Sequence, residues 1–423
     1  MTTIAASLQF DDNERPVEVA TLHSQVRRRT VTSALRYTPA YLNAGAAYAL
    51  EPALPLTLAA QPLDAVLPRS WADAAPERWG RMLIERRWRA GASGTGDRSH
   101  DDRDYLLAVS DLTRQGALRF RRAGDGEGDG LANTDYLATA TTVPPLVELP
   151  RLLRASDAVV RDPDDFAAVK ALLDAGTASL GGARPKASVR DGETLHLAKF
   201  PHPADEWNVM QWESIALKLG ALCGVQVPVT RLMPIDGRHV LVVQRFDRAG
   251  PHRIGYISAL TLTQGRDGEL GDYLTIADEL AAHGAHVVRD LRQLWLRIAV
   301  GVAMNNTDDH LRNHGFLRTR GGWQLAPAFD INPEPNAATR HATALGGRDD
   351  AAGMAEQLMA QASFFQLTPS EAREALARVV EVFGRWREVC RGVGALSREV
   401  ELFASAIDQG VGALRRASAS AHG

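Results

Sequence analysis

The sequence predicts an α+β protein with a strand-rich N-terminal half and a mostly helical C-terminal half, and three observations carry that expectation. At 423 residues the chain is too long for one ordinary core, which suggests two or three folded units. Residues 17–120 show short apolar runs broken by Pro and Gly, the pattern of strands and turns, with one helical stretch starting near Asp73. Past about Gly271 the apolar residues recur at helical spacing instead.

The elements follow in order. The N-terminus opens on a polar, acidic stretch through Asp11, Asp12 and Glu14, without a basic segment leading into an apolar one, and no long apolar run appears later. Neither export nor membrane insertion is expected, and the cytoplasm is the natural compartment. In the first helix Pro76 suits the opening turn, and Trp79, Met82 and Leu83 follow at helical spacing. Residues 121–133 hold the run Gly124-Asp125-Gly126-Glu127-Gly128-Asp129-Gly130, too glycine-rich and acidic to bury, so a linker is placed at 121–150. It separates an N-terminal unit, 1–120, from a nucleotide-binding part, 151–263, and a helical part, 264–423. A hairpin is expected over 186–199, with its turn at Asp191-Gly192 between Val189 and the pair Leu195 and Leu197. Period-two alternation puts Lys199 on the face of Leu195 and Leu197. A strand follows at 239–244. Val287, Val288, Leu291, Leu294, Ile298 and Val302 trace one helical stripe, and Thr368-Pro369-Ser370-Glu371 is a capping box with proline just inside it. No internal repeat is present.

Composition narrows the function. An apolar share of 45%, a charged share of 23% and a net charge of −3 describe an ordinary soluble globular protein, not a disordered chain or a globally basic nucleic-acid binder. The two cysteines, Cys223 and Cys390, stand far apart outside any CxxC or Cys/His cluster, so neither a disulfide framework nor a structural zinc is implied.

Phosphoryl transfer needs a loop for phosphates, a cation on them, a carboxylate for the attacking hydroxyl, and magnesium ligands. In the segment Asn306-Thr307-Asp308-Asp309-His310-Leu311-Arg312-Asn313, Asp308 precedes Asn313 by the five positions that separate base and metal-binding asparagine in a kinase catalytic loop, and Asp309 misses that spacing by one. Alone, Asn306-Thr307-Asp308 would more often cap a helix. Asp330, directly after Phe329 at the end of a short strand pattern, is the candidate second metal ligand; alone it would more often be a turn residue. Upstream, the glycine-rich run from Gly176 to Lys186 lets backbone N–H groups approach phosphates, although it is not a Walker A sequence and such loops are more often plain turns. Lys199 stands where a strand lysine reaches phosphates, and Glu213 is its candidate ion-pair partner; singly, an edge-strand lysine and a solvated glutamate are the better reading. The apolar strand ending in Gln244-Arg245-Phe246 suits a hinge beside adenine, as any buried strand would. The order of loop, lysine, glutamate, hinge, base, asparagine and metal aspartate is the one a protein kinase-like fold requires.

These residues resemble the HipA family of toxin kinases in five segments: Ser179-Leu180-Gly181-Gly182-Ala183-Arg184-Pro185-Lys186, Leu197-Ala198-Lys199-Phe200-Pro201, Val242 through Arg248, Thr307 through Asn313, and Leu325 through Asp330. The N-terminal unit is similar too, in 37–56, 73–86 and 104–120. The resemblance implies a two-lobed protein kinase-like fold with an N-terminal α/β subdomain and a helical C-lobe. It implies a serine/threonine kinase using ATP and Mg2+, with Asp308 as base and Asn313 and Asp330 as metal ligands. Gly181, Gly182, Ala183, Arg184, Pro185, Lys186, Lys199, Glu213, Gln244, Arg245, Phe246, His310, Asn313, Phe329 and Asp330 would attend the nucleotide. Ser179 occupies the family's autophosphorylation position, where phosphate would add about two negative charges and disfavour the ATP-bound loop. The implied partners are a HipB-like helix-turn-helix antitoxin, with DNA reached only through it, and a protein substrate, aminoacyl-tRNA synthetases being the family's class. Gln244 departs from the family's common glutamate, and residues 254–273 do not align readily with the family's shorter members. Two other functions stay open at this point: a catalytically idle, nucleotide-binding corepressor, and a small-molecule kinase using the same machinery.

Overall fold

The computed structural model describes residues 2–10, 16–28, 30–91, 100–123, 142–162, 164–177 and 181–420. The chain divides into two compact units, Met1–Ala204 with Pro234–Ile257, and Asp205–Met233 with Ser258–Gly423.

The first unit opens with a five-stranded sheet formed by β1 (Thr2–Leu8), β2 (Val17–Arg27), β3 (Thr30–Tyr37), β4 (Gln61–Pro62) and β5 (Arg119–Arg122), in the order β4-β3-β2-β1-β5. β1 was not expected, because its Thr, Ala and Ser residues give a weak strand signal. It nonetheless pairs on both sides, Ile4 opposite Leu22 of β2 and Arg122 of β5. Alternation then gives one core face, where Ile4, Ala6, Leu22, Leu35 and Tyr37 pack with Trp71, Leu106 and Phe120. Trp71 meets Phe120 edge-on, with ring centroids 4.9 Å apart. The expected helix forms as Arg78–Gly91 and buries Trp79, Leu83 and Ile84; Pro76 lies two residues ahead of it.

After the helices Leu149–Arg161 and Phe166–Asp174 comes the expected hairpin, β6 (Lys186–Asp191) and β7 (Thr194–Lys199), with Lys186 opposite Lys199. Its turn sits one residue later than the Asp-Gly pair suggested. Asp191 still pairs with Thr194, and Gly192 takes the first turn position at φ +57°, where a side chain would be strained. β8 (Thr230–Ile235) carries the chain back from the second unit, and β9 (Arg238–Gln244) pairs with β7, Ala198 opposite Val242. Val240, Leu241 and Val242 are buried, the mark of a strand covered on both faces.

The second unit is mostly helical and is built on the helix Val287–Met304, against which Val209–Cys223, Ala351–Ala360, Pro369–Phe383 and Ser397–Ser420 pack. Leu291, Leu294, Ile298 and Val302 of the expected stripe are buried, while Val288 is exposed. Gly410 lets Ser397–Ser420 lie directly on that helix, since a Cβ there would stand 2.2 Å from the Val302 carbonyl oxygen. The Thr368 capping box forms as expected, the Thr368 hydroxyl accepting from the Glu371 N–H at 3.2 Å and Glu371 from the Thr368 N–H at 2.8 Å. Trp212 stacks obliquely on Phe403 at 3.9 Å and donates its indole N–H to Glu399 at 2.9 Å. Among the described residues, no helix is long and apolar enough to cross a membrane.

Candidate active site

The helix Val287–Met304 stops at Asn305, which adopts φ +52° and donates its side-chain amide to the carbonyls of Glu334 at 2.7 Å and Asn336 at 3.1 Å. Asparagine tolerates this left-handed cap better than most residues. The chain then runs through Asn306–Asp309 into a single 3-10 turn, Leu311–Asn313. Asp308 therefore caps no helix; the residue in the capping position is His310, and it makes no side-chain cap bond. Asp308 keeps an exposed side chain while its carbonyl is clasped, accepting from the His310 N–H at 2.9 Å and from the Asn313 side-chain amide at 3.0 Å. The five-residue step read from the sequence is thus a closed loop. With the Asn313 amide nitrogen turned to Asp308, the carbonyl oxygen of the same group is the atom left to meet a cation.

Asp309 faces the other way, and its importance was missed. It is buried, and its Oδ2 accepts from the Tyr273 hydroxyl and from His314 Nε2 at 3.1 Å. Its backbone carbonyl accepts from the Thr343 hydroxyl at 2.5 Å. Burial pushes the Asp309 carboxyl up, but the charge and hydrogen bond of His314, the Tyr273 hydroxyl and the charge of His310 together outweigh burial and hold it below the usual range. Burial, then the Asp309 charge, pushes Tyr273 well above an ordinary phenol. The buried Arg297 guanidinium is drawn down to about 10 by desolvation, against the pull of Asp309 and Asp290.

Residues 258–273, which had no expected role, brace this segment. Tyr273 supplies the bond to Asp309, Asp267 pairs with Arg312 at 2.7 Å, and Gly271 lets Leu311 pack where a Cβ would stand 2.6 Å from its Cδ2.

Asp330 follows the hairpin Gly315–Thr319 and Gly322–Leu325 and adopts φ +59°, a strained conformation for a residue with a side chain. Asn332 holds it: its amide donates to Asp330 Oδ1 at 3.0 Å, and its own N–H donates to Asn306 Oδ1 at 3.0 Å. Phe329 and Ile331, on either side of Asp330, line one small cavity together with Asn306, Asp309, Asn313, His314 and Arg297. The structure thus brings Asn313 and the Phe329–Ile331 stretch to one place. Nearby buried polar atoms, Asn332 Oδ1, His310 Nδ1 and His314 Nδ1, have no hydrogen-bond partner among the described residues. Asn313 and Asp330 offer hard oxygen donors, the kind magnesium takes, so the residues present fit that ion.

In the first unit, Gly182 adopts φ +97° and its N–H donates to Glu77 Oε2 at 2.5 Å. Its carbonyl accepts from the Trp79 N–H at 3.3 Å, and the Trp79 indole donates to the Lys186 carbonyl at 3.3 Å. Lys186 turns its ammonium to the Gly181 carbonyl. Gly181 and Arg184 are half-buried, Ala183 is exposed and Pro185 is buried. Lys199 is buried at the end of β7. Glu213, its expected partner, is buried on Val209–Cys223 in the second unit. Ser179 lies outside the described residues.

At the expected hinge, Gln244 and Phe246 are half-buried, but Arg245 is buried and engaged. Its guanidinium donates to the Thr113 carbonyl at 2.9 Å, the Arg114 carbonyl at 3.2 Å and Asp247, and its backbone N–H to the Leu195 carbonyl at 3.0 Å. Its donors therefore anchor the hinge to the N-terminal part of the unit. Asp247 accepts in addition from Arg248 and from the Gly116 N–H at 2.8 Å. Despite the upward push of burial, Arg245 and Arg248 hold the Asp247 carboxyl far below the ordinary carboxylate range.

Comparison with known proteins supplies the family. A HipA-like C-terminal domain matches residues 178–386, which include every candidate site residue named above. The chain thus carries a HipA-like C-terminal domain. It is similar to HipA of the Shewanella oneidensis MR-1 toxin–antitoxin system, determined with HipB and its operator DNA, at 17% identity and a TM-score of 0.67 over 97% of each chain. The likeness bears on the fold, which is the α+β fold of that HipA. The Helicobacter pylori proinflammatory kinase CtkA is similar at 16% identity, over 57% of this chain and 94% of that one, with a TM-score of 0.45, too distant to bear on the fold. No curated protein matches the chain in sequence.

Proposed function

We propose that this chain is a HipA-family, ATP- and magnesium-dependent serine/threonine protein kinase acting as the toxin of a toxin–antitoxin pair. The observation that carries the reading is the clasp between the Asn313 side-chain amide and the Asp308 backbone carbonyl, which ties the residue bearing an exposed carboxylate to a side chain whose oxygen can meet a cation. In this reading the Asp308 carboxylate accepts the hydrogen bond of a serine or threonine hydroxyl, orients it towards the γ-phosphorus and takes its proton as the new P–O bond forms. Asn313 and Asp330 would hold magnesium, and Asn332 fixes the Asp330 carboxylate for that task. Magnesium, when bound, neutralises charge developing on the transferred phosphoryl group. In the first unit, the loop from Gly181 to Lys186 and Lys199 would attend the phosphates, while Gln244 and Phe246 attend the base and Arg245 anchors the hinge. The acceptor is a host protein, with aminoacyl-tRNA synthetases the class implied by the family resemblance, and Ser179 a second acceptor on the chain itself. A HipB-like DNA-binding antitoxin is the proposed partner; the Shewanella protein, which assembles with HipB and operator DNA, supports that choice.

The test is phosphate incorporation from labelled ATP into the protein and into a cell extract. Wild type should label Ser179 and at least one extract protein, and Asp308→Ala, folded by circular dichroism, should label neither. Undiminished labelling by Asp308→Ala would sink the assignment of the base, and nucleotide binding without any labelling by wild type would sink the kinase.

A further inference from the structure

The glycine loop already holds an anion, and that anion belongs to the protein. Gly182 is left-handed at φ +97°, the conformation that turns peptide N–H groups inward in anion-holding nests. Its N–H donates at 2.5 Å to Glu77 Oε2, from a residue 105 positions earlier in the chain. Glu77 lies hard against the loop, since a Cβ on Gly181 would stand 2.5 Å from Glu77 Oε1. The neighbouring contacts keep the two segments together: the Trp79 N–H on the Gly182 carbonyl and the Trp79 indole on the Lys186 carbonyl, both at 3.3 Å. Further back, the Thr113 hydroxyl donates to the Gly176 carbonyl at 3.0 Å. The N-terminal part of the first unit thus grips the loop at two points, and one grip uses a carboxylate where a phosphate oxygen would dock.

We infer that Glu77 is an intramolecular stand-in for a nucleotide phosphate, which an incoming nucleoside triphosphate must displace from the Gly182 N–H. The inference rests on the nucleotide-binding reading of the loop. A carboxylate and a phosphate oxygen seek the same donor, and both cannot accept it well. Their like charges also repel at this distance. Removing the carboxylate therefore tightens nucleotide binding, roughly tenfold, which corresponds to about 1.4 kcal/mol. If Glu77 instead shaped the loop for the nucleotide, its removal would weaken binding.

The experiment is isothermal titration of the full chain with ATP and magnesium for wild type, Glu77→Gln and Glu77→Ala. Hydrogen exchange at residues 181–186 without nucleotide gives a second readout. Expected are lower Kd values for both variants, with the greater fall for Glu77→Ala, together with faster exchange in the free variants. Glu77→Gln keeps the side chain's volume, so it remains readable if Glu77→Ala folds poorly. Unchanged or higher Kd in a folded variant, with wild type binding ATP, overturns the inference and leaves the nucleotide site standing. Failure of all three proteins to bind ATP overturns the nucleotide reading of the loop, and this inference with it.

Discussion

Replacing Asp309 by Asn keeps the side chain's shape but removes a buried charge on which two hydrogen bonds converge. The Tyr273 hydroxyl and His314 Nε2 both donate to Oδ2, and Arg297 lies within its field. An amide oxygen in that place can still accept both bonds, but it lacks the negative charge that His314 and Arg297 face. Removing one partner of a buried charged pair costs about 3–5 kcal/mol. For a unit of this size each kcal/mol lowers Tm by roughly 2–4 °C, so a loss on the order of 10 °C is expected at pH 7. Acid dependence gives an independent check. The folded carboxyl titrates below its unfolded value of about 3.9, so its stabilisation is fully present above that pH and is lost as pH falls through the folded value. The gap between wild type and variant should therefore be constant from pH 7 to pH 5 and shrink below about pH 4. Calorimetric and far-ultraviolet melting curves across that range measure it. A gap under about 1 kcal/mol at pH 7, or one that persists undiminished in acid, would refute the picture of an ionised, doubly bonded Asp309.

Three further outcomes follow from the same reasoning. Asp247→Ala leaves Arg245 and Arg248 buried without their carboxylate, so urea denaturation should show a loss of about 3–5 kcal/mol. Asp267→Ala breaks only the exposed side of the pair with Arg312 and should cost less than about 1 kcal/mol in the same assay, shrinking further in high salt. Thr368→Ala removes the cap of Pro369–Phe383 and should cost about 1 kcal/mol by equilibrium denaturation, with Thr368→Ser recovering most of it.

What could be read from the sequence was local. The capping box at Thr368 and the buried part of the stripe in Val287–Met304 depend on neighbours within one or two turns, and both formed as expected. The hairpin from Lys186 to Lys199 was legible, but its turn was displaced by one residue because Gly192, not Asp191, takes the first turn position. β1 gave no such signal: its small residues owe their burial to strands paired on both sides. The same division runs through the candidate site. The loop from Asp308 to Asn313 closes over five residues and showed in spacing alone. Tyr273 reaches Asp309 from 36 positions away, and Glu77 reaches Gly182 from 105, and neither residue carries a mark of its own in the sequence. Arg245 looked like part of a nucleotide hinge because it ends an apolar strand, yet its donors are fixed by Thr113 and Arg114, which only the fold brings near.

The two adjacent aspartates show why the site needs both kinds of information. Spacing prefers Asp308 over Asp309 by a single residue, which is a thin margin in a motif that short. Their surroundings widen it. A proton acceptor must be reachable by the substrate hydroxyl, and Asp308 is exposed whereas Asp309 is buried. A carboxyl held below its ordinary range is also a weaker base, because the interactions that favour the anion oppose its protonation. Those interactions suit Asp309 to a different task. With its side chain fixed by Tyr273 and His314 and its carbonyl by Thr343, it pins the backbone between Asp308 and the turn that carries Asn313. The clasp at Asp308 then closes on a backbone bonded on both sides, which positions the residue proposed as the base without engaging its carboxylate in the clasp.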